Sequence, residues 1–251
     1  MAPDELARMR RDAYLPAQLA ALAVTDPELV DTFERFALGE VLGHGALDTP
    51  VRLMVQLAAL IALPALREYP ALLGAALEAG VTPVEAKEVV YQAALYVGLP
   101  RAFDFIHATN DVLTERGVAL PLPAQSTTTL ADRADKGLAL EQQNFGRETV
   151  DNFFAAAPAD QVHIQHYVAA HAFGDNLSRS GLDASMRELL SLSLLVTMGG
   201  CEPQVKLHVA ANLRVGNDRA RLIDVITQLL PYIGYPRTLN ALRVLNEVLD
   251  S

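Results

Sequence analysis

Residues 199–208, with the sequence GGCEPQVKLH, contain the densest group of side chains that could perform chemistry. Two glycines interrupt the preceding helix, and Pro203 suits the first turn of the next one, so Cys201 should lie just before a helix N-terminus. Unpaired backbone N–H groups and the helix dipole favour a thiolate at such a position. Gln204 and His208 are four residues apart, so they would share one face of the new helix.

Together these three side chains could supply a nucleophile or acid, an amide donor and a titratable base. Each also has an ordinary structural explanation, because a lone cysteine is often a small buried apolar residue and a lone helical histidine is often structural. Glu188, 13 residues before Cys201, could orient His208 or hold a proton, or it could be an exposed carboxylate. We predict catalytic roles for His208, Cys201 and Glu188. Gln204 is predicted to contact the substrate.

Two further charged residues, Arg187 and Asp175, could bind acidic or polar groups of a substrate. Both recur in the first half of the chain, as Arg52 and as the acidic residue Glu40. Recurrence in both halves favours ion pairs within the fold over substrate contacts, so the two roles stay open for each residue.

The sequence predicts neither a metal site nor a cofactor. His163 and His166 are three residues apart, but no carboxylate pair at a matching spacing accompanies them on the same element. The glycine-rich loops that bind dinucleotides and phosphates are absent from the sequence, as is the Gly-x-Ser-x-Gly turn of many hydrolases. The expected partner is a small-molecule substrate.

Composition excludes several classes of function. The formal net charge of −10 at pH 7 argues against nucleic-acid binding, which needs clustered lysines and arginines, and against attraction to an anionic membrane. The longest apolar stretch, near residues 57–66, contains Pro64 and is too short to cross a bilayer. The N-terminus carries acidic residues before any apolar run, and a single cysteine suits a reducing compartment. We therefore predict a cytoplasmic protein.

The chain contains one unit twice, at an offset of 135 to 136 residues. LDTPVR at residues 47–52 returns as LDASMR at 182–187, and YVGLPR at 96–101 returns as YIGYPR at 232–237. Gly39-Glu40 likewise returns as Gly174-Asp175, and Gly80 as Gly216. Four matches in the same order indicate an internal duplication.

Each unit is predicted to be helical, which gives an all-α fold of two tandem units. Apolar residues recur at helical spacing, and alternating strand-like runs are absent. Thr82, Pro83 and Glu85 form a helix start signal, with a helix predicted to run to about Val97. Pro121, Pro123 and a Ser/Thr run interrupt the periodicity between the units. The predicted organisation is a helical extension at 1–30, a first unit at 31–116, an exposed linker at 117–132 and a second unit at 133–251.

Several motifs of the second half together resemble γ-carboxymuconolactone decarboxylase. They are Lys136-Gly137-Leu138, Phe145-Gly146, Gly174-Asp175, Arg179-Ser180-Gly181-Leu182, Arg187-Glu188-Leu189, His208 and Tyr232-Ile233-Gly234-Tyr235-Pro236-Arg237. The resemblance covers about residues 133–250, and residues 33–116 are similar to a second, more divergent copy. The superfamily includes alkyl hydroperoxidase D, and its members are all-helical and typically trimeric or hexameric.

The resemblance implies cofactor-independent decarboxylation of a small carboxylated lactone or related oxo acid. Loss of carbon dioxide leaves an extended enolate, and a protonated group must then deliver a proton to carbon. His208 aligns with a histidine of the family and is the implied acid–base residue.

Two other functions stay open. The hydroperoxidase branch uses a Glu, a Cys-x-x-Cys pair and a following His; Glu188, Cys201 and His208 fall near these positions, but Gln204 replaces the second cysteine. A dithiol cycle lacks its resolving sulfur here, so a thiol peroxidase is the alternative only if an external thiol takes part. The other alternative is a non-catalytic oligomeric binding protein.

The first unit lacks the cluster, since Leu66 is near the Cys201 position and Leu72 is at the His208 position. It is expected to act as scaffold. If single-unit relatives form rings of six, a fused pair should form a homotrimer with the same number of units. Apolar residues on a wide arc of the segment 222–230 would then be covered by a neighbouring unit.

Overall fold

The computed structural model describes residues 22–250, and every regular element in this range is a helix. The predicted all-α fold is therefore confirmed. Residues 1–21 of the helical extension predicted at 1–30 lie outside the described residues.

The first unit contains six helical elements. They are α1 (Pro27–Phe33), a first π-helical segment (Glu34–Val41), α2 (Thr49–Ala62), α3 (Tyr69–Glu78), α4 (Pro83–Val97) and α5 (Leu99–Glu115).

The second unit contains the corresponding elements and two additional helices at its start. They are α6 (Arg133–Phe145), α7 (Arg147–Ala156), α8 (Val162–Tyr167), a second π-helical segment (Val168–Leu177), α9 (Ala184–Met198), α10 (Glu202–Arg214) and α11 (Arg219–Leu249). Gly234 adopts a φ of 74° and breaks α11 into two helices.

Side-chain caps begin two of the helices that carry the site, α4 and α9. Thr82 and Glu85 form a reciprocal capping box at the start of α4, which confirms the predicted start signal and satisfies two backbone donors. Asp183 Oδ1 accepts a hydrogen bond of 2.7 Å from the backbone nitrogen of Met186, and this cap begins α9. Each cap fixes where its helix begins, and therefore which residues face the core.

A single hydrophobic core joins the two units. The repeated helices α2 and α9 lie at its centre, where nearly every side chain is buried, and both pack against α11. Helix α4 of the first unit also packs against α9 of the second. Two units that share a core in this way cover each other's apolar faces, which a short unit could not do alone.

The segment between the units is an irregular strap that packs on the second unit. Residues 116–132 form no helix. The carbonyl of Gln125 accepts a hydrogen bond of 3.0 Å from the backbone nitrogen of Ser180, and Thr128 Oγ1 donates to the carbonyl of Gly174 at 2.9 Å. These bonds hold the strap against the second π-helical segment and the turn that follows it.

Within residues 22–250, no helix combines the length and the apolar character needed to cross a membrane.

Candidate active site

A buried carboxylate–imidazole pair forms the centre of the candidate site. Glu188 on α9 and His208 on α10 are 1% and 8% exposed, and Nδ1 of His208 lies 2.7 Å from Oε2 of Glu188. Such a short contact fixes the ring orientation and leaves Nε2 as the atom that can exchange a proton. The structure thus brings together two of the three residues for which we predict catalytic roles.

Two asparagines hold this pair in place. Asn144 on α6 donates from Nδ2 to Oε1 of Glu188 at 2.8 Å. Asn212 donates from Nδ2 to the backbone carbonyls of Glu188 and His208, at 3.0 and 2.8 Å, and its own Oδ1 accepts from Asn217 at 2.8 Å. Because Asn144 binds the carboxylate and Asn212 joins the backbones of both residues, the pair has a defined geometry. Sequence analysis did not single out either asparagine.

Two aromatic rings flank the imidazole, and one of them comes from the other unit. The centroid of Phe145 is 5.2 Å from that of His208, in an edge-to-face arrangement. Tyr96 on α4 of the first unit is 6.2 Å away, and its hydroxyl donates to Oγ of Ser191 at 2.5 Å. Burial, followed by the negative charge of Glu188, raises the pKa of Tyr96. The site therefore lies between the two units of one chain.

Polar side chains line one face of α4 and lead toward this site. Glu88, Gln92 and Tyr96 are spaced four residues apart and lie on the same side of the helix. Gln92 Nε2 donates to the carbonyl of Arg187 at 2.7 Å and to Oγ of Ser191 at 3.1 Å. Three polar residues at helical spacing in an otherwise buried helix are a signal that sequence analysis could have used.

Glu141 is a further buried carboxyl beside the site. It is 1% exposed, and it shares a face of α6 with Asn144 and Phe145, which both contact the Glu188–His208 pair. Its Oε2 has no hydrogen-bond partner among the described residues. Burial raises the pKa of Glu141 to about 7, since the ionised form loses its hydration.

The two other members of the predicted cluster lie elsewhere on α10. Cys201 is the N-cap of this helix, as predicted, but its Sγ donates to the carbonyl of Gly199 at 3.5 Å. It lines a small cavity of about 20 Å³ with Arg237 and Asn240. No hydrogen bond among the described residues joins Cys201 to Glu188 or His208. Gln204 is exposed one turn before His208.

Arg187 and Asp175 each form an ion pair within the fold. Nη2 of Arg187 lies 2.9 Å from Oε2 of Glu88 on α4, and the guanidinium is 4% exposed. Asp175 Oδ2 lies 2.6 Å from Nη1 of Arg133 on α6. These partners support the structural explanation for both residues, and their substrate-binding role stays a prediction.

Comparison with known proteins identifies the family. The sequence model of the carboxymuconolactone decarboxylase family matches the chain twice, at residues 27–111 and 163–247. The chain belongs to this family. The double match also supports the tandem arrangement of units inferred from the internal repeat.

Two relatives illustrate how far the similarity extends. A 4-carboxymuconolactone decarboxylase of Acinetobacter baylyi is 36% identical over 85 residues, which cover 34% of this chain and 63% of that enzyme. The chain thus spans less than two thirds of the enzyme's length. An uncharacterised 15.0 kDa protein of Paracoccus denitrificans is 26% identical over 107 residues, or 42% of this chain and 75% of that protein.

A solved structure has the same fold. It is the crystal structure of a protein from Burkholderia xenovorans LB400 with the provisional name of gamma-carboxymuconolactone decarboxylase subunit. The two chains superpose with a TM-score of 0.58 at 20% identity, over 100% of this chain and 98% of the other. At this identity the similarity supports the fold alone.

Only the second carboxymuconolactone decarboxylase unit of the described chain retains the carboxylate–imidazole pair. Leu53 and Leu72 stand at the repeat positions of Glu188 and His208. They line a cavity of about 40 Å³ together with Gln228 and Tyr232 of the second unit. These two residues correspond to Gln92 and Tyr96, so the architecture persists in the first unit while its titratable groups are gone.

Among residues 22–250, no group of three or more His, Cys, Asp or Glu side chains is arranged to hold a metal ion.

Proposed function

We propose that this protein catalyses cofactor-independent proton transfer, coupled to decarboxylation, on a small carboxylated lactone or related oxo acid. The observation that carries the proposal is the buried hydrogen bond of 2.7 Å between Glu188 and His208, in a chain of the carboxymuconolactone decarboxylase family. Decarboxylation of this kind needs one positioned acid–base group, and His208 is such a group.

The chemistry assigns a separate role to each residue of the pair. Glu188 accepts a hydrogen bond from the Nδ1–H group of His208 and stabilises the imidazolium, so that Nε2 carries the reactive proton. When the carbon–carboxylate bond of the substrate breaks, its electron pair enters an extended enolate and carbon dioxide leaves. Nε2 then gives its proton to the enolate carbon. Water returns a proton to the imidazole and completes the cycle.

Thiol chemistry at Cys201 is not part of this proposal. Sγ lies against the carbonyl of Gly199 and in a cavity different from the environment of His208. A peroxidase cycle would also need a second sulfur, and the chain has one cysteine. We therefore expect the Cys201→Ser variant to keep its decarboxylase activity.

The test is decarboxylation of 4-carboxymuconolactone, measured as carbon dioxide release by the purified protein. His208→Ala should lower kcat at least about 100-fold, because general acid–base catalysis contributes on this order. His107→Ala is the matched control, since His107 is an exposed histidine on α5, and it should retain full activity. Equal rates for wild-type protein and His208→Ala would refute the assignment.

Glu188→Gln tests whether Glu188 acts through the imidazole. The amide preserves the shape of the side chain but cannot stabilise an imidazolium, so kcat should fall at least about ten-fold while KM changes little. The pH at which the kcat profile reaches half its maximum should also shift downward, because the imidazolium loses its counter-charge. An unchanged kcat and an unchanged profile would show that Glu188 has only a structural role.

A further inference from the structure

We propose that a second site, remote from His208, binds a small carboxylate with a compact apolar body. The site is a cavity of about 390 Å³ between α4, α5 and the strap, a volume within the range of small-molecule sites. Neither Glu188 nor His208 lines it. The cavity is suited to a ligand because it has a preformed wall, buried charged side chains and an apolar lining.

Lys87 is a buried cation that has no carboxylate partner among the described residues. Lys87 is 7% exposed, and its Nζ donates to Oδ1 of Asn110 on α5, a neutral group. Glu88 lies next in sequence but pairs with Arg179 and Arg187 instead. Among the described residues, no carboxylate forms an ion pair with Lys87. A buried ammonium is costly without an anion, and a bound carboxylate would supply one.

The charged side chains around the cavity give it a local positive excess. The ammonium of Lys87 and the guanidinium of Arg179 both line the cavity, with Glu88 as the one carboxylate there. Two arginines share this carboxylate, which leaves one positive charge in excess, and Lys87 adds another. The chain as a whole has a net charge of −10. A local positive excess in an acidic protein favours an anionic ligand at this place.

The lining of the cavity fits a ligand with an apolar or aromatic body. Two cations lie over the ring of Tyr91, with the guanidinium of Arg179 5.3 Å and Nζ of Lys87 5.8 Å from the ring centroid. Leu120, Pro121 and other strap residues form the facing wall. The hydrogen bonds between the strap and the second unit hold this wall in place, so that binding requires little ordering of the protein.

The cavity also connects to the candidate active site through the polar face of α4. Glu88 lines the cavity and binds Arg187, which hydrogen-bonds to Gln92. Gln92 shares Ser191 with Tyr96, the ring beside His208. Arg179 also binds Glu88, so a carboxylate that draws Arg179 toward itself would act on one end of a continuous hydrogen-bonded chain.

Calorimetric titration with benzoate and with its neutral analogue benzamide tests the proposal. Benzoate should bind to wild-type protein at one site per chain, and benzamide should bind at least about ten-fold more weakly, a difference of about 1.4 kcal/mol. Lys87→Met should weaken benzoate binding about ten-fold, whereas Lys87→Arg should restore most of it. Lys206→Met removes an exposed lysine and should leave binding unchanged.

Further binding measurements can also overturn the proposed carboxylate site. His208→Ala should bind benzoate as wild-type protein does, so a loss of binding in this variant would place the probe at the active site and overturn the proposal. Equal affinities for benzoate and benzamide, or no binding at millimolar concentration, would overturn it too. Thermal melting of Lys87→Met and Lys87→Arg checks that both variants fold. None of these results depends on decarboxylase activity, so the two proposals can fail separately.

Discussion

Glu188 and His208 acquire their chemical character from neighbours that are distant in sequence. Glu188 is buried and accepts hydrogen bonds from His208 and from Asn144. Removing one partner of such a network leaves a buried carboxylate with an unmet hydrogen bond, which costs more than the bond itself contributes. The same residues that make the pair reactive therefore also make it a structural element of the second unit.

Glu141 gives a prediction of pH-dependent stability. Burial raises its pKa from the ordinary value of 4.5 to about 7, so the folded protein binds a proton that the unfolded chain has released between these pH values. The stability that protonated Glu141 contributes is therefore fully present below pH 4.5 and is lost as the pH rises through 7. Glu141→Gln cannot ionise, so we expect it to raise the free energy of unfolding by about 3 kcal/mol at pH 8.

Chemical denaturation at pH 5 and pH 8 measures this difference. The gain should be small at pH 5, where wild-type Glu141 is largely protonated. Glu115→Gln changes an exposed carboxyl on α5 and serves as the control, with no difference between the two pH values. A Glu141→Gln variant that is no more stable than wild-type protein at pH 8 would contradict the prediction.

At the scale of elements, α6 lies against the second π-helical segment at a glycine. A Cβ atom at Gly137 would overlap the carbonyl oxygen of Ala169 and lie 2.6 Å from the backbone nitrogen of Gly174. Both are backbone atoms, which cannot move aside as a side chain can. Since α6 carries Asn144 and Phe145, the close approach at Gly137 also sets the position of two residues that contact the site.

We expect Gly137→Ala to destabilise the protein by about 2 kcal/mol or more, because overpacking forces the two backbones apart. The variant should also lose activity beyond its loss of stability, since a displaced Asn144 no longer holds Glu188. Gly43→Ala is the control, because a Cβ at Gly43 meets no atom within 4 Å. Thermal melting and the decarboxylation assay measure the two effects, and equal stability of both variants would exclude the packing argument.

At the scale of the whole molecule, the duplication leaves the same apolar positions exposed twice. Leu99 and Phe103 of the first unit correspond to Tyr235 and Leu239 of the second at the offset of 136. All four are exposed, by 52, 49, 61 and 63% respectively. Equivalent apolar patches on both units are typical of a surface that is covered by repeated, ring-like assembly.

This surface leads to a prediction about assembly. The protein should form a homotrimer with a mass near three times the 27.1 kDa chain, in which six units form a closed ring. Light scattering coupled to size-exclusion chromatography measures the mass. The double variant Phe103→Asp/Leu239→Asp should dissociate, because two buried charges per chain would oppose each contact.

Leu130→Asp provides the comparison for this double variant. Leu130 is 89% exposed in the strap and has no repeat partner on the proposed surface, so the trimer should persist. A wild-type monomer at micromolar concentration, or a double variant that keeps the wild-type mass, would rule out this surface as the interface.

The sequence by itself determined the helices, the duplication and both members of the candidate pair. Local signals were sufficient for these, since Thr82 and Glu85 cap α4, Pro203 begins α10 and Gly234 ends a helix through backbone geometry that neighbouring residues dictate. The linker's lack of periodicity was visible for the same reason. Residue types and spacing also pointed to His208 and Glu188 as candidates.

Only the tertiary structure decided which candidates meet. Cys201 and His208 share one helix, yet they face different neighbours, because a side chain's surroundings depend on which other helices pack on each face. Tyr96 and Gln92 reach the site from the first unit, and Asn144 reaches it from α6, across sequence separations that no local pattern encodes. The site arises where two copies of one unit bury their apolar faces against each other, and that burial is a property of the packed molecule.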